Sequence, residues 1–151
     1  MRTIKFRGKV IKDYNSNFYN EQFVYGSAIV CEDDIASTII NSEFEAEVLT
    51  KTITQFSGVK DKNGKEIYEG DIIKIESKLM KEYPDYKFIR EVKFGKGEIF
   101  GSEWNHDIIG FWLSPCETYK ELYLDDEDAD IEIIGNVFET PELINLGGEE
   151  K

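Results

Sequence analysis

The chain has 151 residues, a formal net charge of −13 and 13% aromatic residues. A chain of this length can bury a core without a metal or a disulfide, and so many aromatic residues exclude a disordered one. The acidic balance argues against non-specific nucleic-acid binding, which relies on Lys and Arg to displace counterions. No apolar run is long enough to cross a bilayer as a helix.

Residues 3–10 alternate, with Ile4, Phe6 and Gly8 separated by Lys5 and Arg7. The period of two predicts a half-buried strand with basic residues on its open face. Lys5, Arg7, Lys9 and Lys12 can touch an anion, or can serve as ordinary edge protection. Residues 13–21 have no clear period and read as a loop. Phe23 to Val30 predicts a second strand, with Gly26 marking a bulge or a close approach. Ala36–Ile40 and Ala46–Leu49 read as further strands. A helix over 33–41 competes, but the β-branched Thr38, Ile39 and Ile40 disfavour it.

The stretch from Thr52 to Ile73 is dense in turn residues. Asn63-Gly64 between Lys62 and Lys65 predicts a tight type I′ hairpin, because both central residues of that turn need positive φ. Glu69-Gly70-Asp71 is a second breaker. There Gly70 suits the left-handed position and Asp71 can accept from nearby amides as a strand begins. The competing reading is a ligand loop with Asp61 or Asp71 as acid or base; turn chemistry explains the same residues without a ligand.

Residues 72–76 predict a strand and 77–85 a loop. Tyr86–Phe94 is a long strand candidate. Gly95, Gly97 and Gly101 punctuate a hairpin that returns through Ile99 and Phe100. Ile108–Leu113 suits a buried strand, residues 117–124 a helical turn, and Ile131–Phe138 a strand followed by a turn. Thr140-Pro141 predicts one helical turn, with Thr140 as N-cap and Pro141 at the first helical position. Residues 1–144 read as one domain or two small β lobes, and 145–151 as a frayed tail.

Charge is unevenly placed. Residues 117–151 hold twelve acidic and two basic residues, so they carry −10 of the −13. Asp125, Asp126, Glu127, Asp128 and Asp130 form the densest run. It reads either as a solvated loop or as a negative surface that attracts a basic protein or imitates nucleic acid. Asp126, Asp128 and Asp130 have the first spacings of a Ca²⁺ loop. Ile131 then stands where that loop needs Gly, and Val137 where it needs Glu.

Other chemistry is sparse. His106 is the one histidine, and neither a nucleophile elbow nor a nearby Cys accompanies it. It reads as a polar loop residue. Cys31 and Cys116 are widely spaced, and the chain opens without an apolar signal segment. We read them as reduced, buried thiols in a reducing compartment. Gly95-Lys96-Gly97 lacks phosphate-loop spacing. We therefore expect no catalytic residues, no metal and no cofactor.

Five segments in order resemble the YopX family of phage and prophage proteins of Gram-positive hosts. They are Ile4–Lys9, Phe23–Gly26, Gln55–Ile72 with its Asp61-Lys62-Asn63-Gly64 and Tyr68-Glu69-Gly70-Asp71 cores, Glu91–Phe94, and Ile134–Leu143. Residues 31–50 and 77–90 depart from the pattern. The resemblance implies a mainly β architecture related to SH3-like rolls and barrels, elaborated with extra strands and short helical turns. It implies a phage origin, and hence the host cytoplasm. It implies no catalytic residues.

Three functions compete on this reading. The first is a non-enzymatic phage accessory protein that binds another protein. The second is a structural protein that self-associates through sheet edges or aromatics such as Tyr19, Phe23, Tyr25, Trp104 and Trp112, although such aromatics more often pack in a core. The third is a metal-dependent hydrolase or nuclease, for which the ligand spacing is missing.

Overall fold

The structure is a computed structural model, described over residues 3–11, 22–30, 35–77, 87–98, 107–114 and 129–147. The chain forms two compact units, 1–58 and 59–151.

The first unit holds β1 (Phe6–Lys9), β2 (Phe23–Ile29), β3 (Ala36–Ile40), β4 (Glu45–Leu49) and the start of β5 (Thr54–Lys60). Their order is β4-β3-β2-β1-β5, and neighbouring strands run antiparallel. Period-two alternation sends Phe6 and Val10 of one strand, and Val24 and Ala28 of the next, to one face. There they join Ile39, Ala46 and Val48 in a core, with Phe44 and Ile53 packed against it. Each fully buried aliphatic side chain is worth about 1.5–3 kcal/mol.

Two glycines let this sheet curl. A bridge joins Val10 to Val48, and the Ile11 N–H donates to the Glu47 carbonyl, so β4 closes back on β1. A Cβ at Gly8 would lie 2.8 Å from Val48 Cγ2, and one at Gly26 would run into the Ile40 carbonyl. Gly26 is thus a close approach, as its place in a strand suggested. Within the 33–41 segment, Ala36–Ile40 is strand and not helix.

The second unit contains β6 (Glu66–Tyr68), the neighbour of β5, and a sheet ordered β10-β7-β8-β9. Its strands are β7 (Asp71–Ser77), β8 (Lys87–Glu98), β9 (Asp107–Ser114) and β10 (Ala129–Asn136). Register places Ile131 opposite Ile75, Ile133 opposite Ile73, and Val92 opposite Leu113. These residues and Ile67 make the core. A 3-10 helix, Pro141–Gly147, packs on β8 and β10.

Three expectations change. The hairpin expected at Gly95 and Gly97 does not start there: β8 runs through both, and Gly95 pairs opposite Gly110. The Thr140 hydroxyl does not cap the last helix. It turns back to Asn136, accepting from its N–H at 3.2 Å, while the Thr140 carbonyl starts the helix by accepting from Leu143. Finally, β1 lies between β2 and β5, so its basic residues protect no sheet edge. The expected loop at 13–21, the return strand at Ile99 and Phe100, and the helical turn at 117–124 lie outside the described residues. So do most of the 77–85 loop and positions 148–151 of the tail.

Candidate functional site

The carboxylates of the central segment hold backbone. Asp61 is 7% exposed, and its Oδ1 accepts from the N–H groups of Asn63 and Lys65 at 2.8 and 2.9 Å. Its Oδ2 accepts from Ile133 N–H of β10 at 3.3 Å. The Lys62 N–H reaches the Ile131 carbonyl of the same strand. One side chain thus shapes the turn and ties it to β10. Burial pushes the Asp61 carboxyl up. The N–H groups of Lys65, Ile133 and Asn63 together outweigh it and hold the group below its ordinary value.

The turn itself differs from the type I′ form. Gly64 N–H donates to the Asp61 carbonyl, so the central residues are Lys62 and Asn63, and Gly64 follows them at φ +81°. That is a three-residue hairpin loop closed by a left-handed glycine. Asp71 is buried, and its Oδ2 accepts from Tyr68 N–H at 2.8 Å. Between Tyr68 and Asp71, Gly70 at φ +77° donates to the Val92 carbonyl and accepts from Val137 N–H. Asn136 caps the closing turn, its Oδ1 accepting from Phe138 and Glu139 N–H. Asp61 and Asp71 are built as turn residues.

The other concentration of chemistry is the β1–β2 face of the first unit. Register puts Arg7 opposite Tyr25 and Lys9 opposite Phe23, all on the face away from the core. The Arg7 guanidinium lies 4.7 Å from the Phe23 ring centroid, and Lys9 Nζ lies 5.9 Å from the same ring. Lys5 Nζ lies 5.6 Å from the Tyr25 ring. Arg7 is 5% exposed and donates from Nε to Thr54 Oγ1 at 3.1 Å. Stacking and that hydrogen bond offset the cost of burying its charge. The open face expected of the strand is therefore covered at its centre. Tyr25 is 40% exposed, and Ile29, on the same side of β2, is 56% exposed. Phe23 and Tyr25 face these cations and not the core.

The sequence showed the cations and the rings as two separate alternations. The register that stacks them was not visible in either one. Among the described residues, no three His, Cys, Asp or Glu side chains gather where they could hold a metal. No helix of the described residues is long and apolar enough to cross a membrane. Lys12, Tyr19, Cys31, Trp104, His106, Cys116, Asp125, Asp126, Glu127 and Asp128 lie outside the described residues, and Asp130 is exposed on β10. Trp112 falls within β9, opposite Lys93.

Residues 5–145 match the YopX protein family. No curated protein matches the chain. Among solved structures, the chain is similar to the crystal structure of protein EF1440 from Enterococcus faecalis. The two share 21% identity and a TM-score of 0.51 over 95% of this chain and 99% of that one. At that identity the likeness concerns the fold. The chain belongs to the YopX family.

Proposed function

We propose that this member of the YopX family is a non-enzymatic, protein-binding accessory module of phage origin. Its first unit acts as an SH3-like roll that receives an acidic, extended segment on the β1–β2 face. The observation that carries this reading is the stacked ladder of Lys5, Arg7 and Lys9 on Phe23 and Tyr25. Partner carboxylates meet Lys5 and Lys9, and partner apolar groups cover Tyr25 and Ile29. Arg and Tyr in such settings anchor protein interfaces.

A labelled peptide of alternating Asp and Leu, titrated by fluorescence anisotropy, tests this. Binding is expected to weaken as salt rises, and Lys5→Glu with Lys9→Glu is expected to abolish it. Lys62→Glu in the second unit should leave it unchanged. Binding that ignores Lys5 and Lys9 overturns the reading. So does a preference for a single-stranded oligonucleotide over the peptide.

A further inference from the structure

We infer that the β8–β9 ribbon of the second unit carries a joint at Gly95 and Gly110, about which its outer end swings as a paired whole. β7 pairs with β8 from Lys87 to Glu91, and Gly70 N–H then reaches the Val92 carbonyl. Beyond Val92, among the described residues, β9 is the one strand paired with β8. The inner part of this ribbon is anchored. Val92 and Leu113 stand opposite each other and are fully buried in the core. The next rung on that face sets Phe94 opposite Phe111, with 4.8 Å between the ring centroids.

Gly95 and Gly110 form the rung that follows, and three features set it apart. It has no side chain on either strand, so the cross-strand contact that stiffens a ribbon is missing there. Gly95 stands at φ +117° and Gly110 at φ +136°, so both strands leave the ordinary strand region at the same rung. Among the described residues, no atom lies within 4 Å of where a Cβ on either would stand. Neither glycine is therefore there to make room for a neighbour, and backbone freedom is what the pair supplies. Glycine has no Cβ to clash, so it takes negative and positive φ about equally readily. Because the two glycines face each other, both strands can bend at one rung while the rungs on either side keep their bonds. A bend in one strand alone would shear the ladder. The ladder continues beyond the joint, with Lys96 opposite Ile109, Gly97 opposite Ile108 and Glu98 opposite Asp107. These rungs move together, and a partner that favours one angle selects it from states already present.

Residual dipolar couplings on the full chain test this, with amide hydrogen exchange beside them. The native couplings of Lys96–Glu98 and Asp107–Ile109 are expected to be scaled down by roughly a third or more against the alignment of Lys87–Phe94 and Phe111–Ser114, because a swinging arm averages its orientations. The outer amides should stay protected from exchange, because the ladder is kept. Gly95→Val with Gly110→Val places β-branched residues where positive φ is strained. It should hold both strands in the ordinary region and restore the outer couplings to full size. Gly97→Val, outside the joint, should leave them reduced. If the valine pair does not fold, Gly95→Ala with Gly110→Ala replaces it. Native outer couplings of full size overturn the inference, because the ribbon is then rigid. Reduced couplings with unprotected amides overturn it too, because the end then frays and does not swing. So does a folded double variant whose couplings stay reduced, or a Gly97→Val variant that restores them.

Discussion

Asp61 in the second unit and Arg7 in the first are both buried charges, 7% and 5% exposed, and they are held in different ways. Asp61 is bound by three backbone N–H groups, two in its own turn and one on β10. Arg7 is bound by the Thr54 hydroxyl and the Phe23 ring. A charge held by backbone is part of the chain's path, so removing it removes the turn. A charge held by side chains can be exchanged while the strand beneath keeps its ladder. The family's central segment is of the first kind, and the β1–β2 face is of the second.

Asp61→Ala gives the largest expected effect. It strands three amides that were paired with an ionised acceptor, and a stranded buried donor costs about 1–3 kcal/mol. Because the three bonds share one side chain and do not add, we expect a loss of about 3 kcal/mol, read as a lower urea midpoint. The carboxyl is held below its ordinary value in the folded protein. As pH falls, the unfolded chain therefore takes up its proton first. The stabilisation is fully present above about pH 4 and is lost as pH drops through the folded value. Asp61→Asn removes that dependence, so its deficit against the native protein should shrink on acidification. A deficit that stays constant or grows would show that the carboxylate charge is not what holds the turn.

Arg7→Met is expected to cost less. The methionine keeps an apolar stem over Phe23 and removes the cost of burying a charge, at the loss of a hydrogen bond to the Thr54 hydroxyl. We expect a loss of about 1 kcal/mol in the same urea measurement. A loss matching that of Asp61→Ala would show that Arg7 is as structural as Asp61, which would remove the contrast between the two sites.

The same contrast explains what could be read from the sequence. Turn residues announce themselves locally, so Gly64, Gly70 and Asp71 were legible as breakers, and the strands around them followed from the alternation of apolar residues. The exact turn was not legible. Asn63-Gly64 suits a two-residue loop, and the three-residue one is chosen by Asp61, whose Oδ2 also reaches Ile133, far away in sequence. Likewise, Lys5, Arg7 and Lys9 look like a solvated face when β1 is read alone. The burial of Arg7 and the stacking of all three depend on β2 supplying Phe23 and Tyr25 in register, and on β5 supplying Thr54. Thr140 stands at the N-cap position directly before Pro141, as expected, but its hydroxyl bonds Asn136. Local chemistry was visible, and pairing across strands was not.

The smallest expected effect lies beside the largest. Lys62 Nζ sits 2.6 Å from Glu132 Oε2, and the two side chains are 38% and 33% exposed. The ion pair raises the Lys62 ammonium above its ordinary value and lowers the Glu132 carboxyl below its own. An exposed pair loses most of its worth to screening and to the ordering of two long side chains. The Lys62 N–H keeps its bond to the Ile131 carbonyl whatever the side chain is. Lys62→Met and Glu132→Gln are therefore each expected to leave the urea midpoint unchanged at physiological salt. A small drop should appear only at low ionic strength. If Lys62→Met destabilised the protein as much as Asp61→Ala at physiological salt, the turn would be held to β10 by its ion pair. The distinction between charges spent on backbone and charges spent on side chains would then fail at the site where it is drawn most sharply.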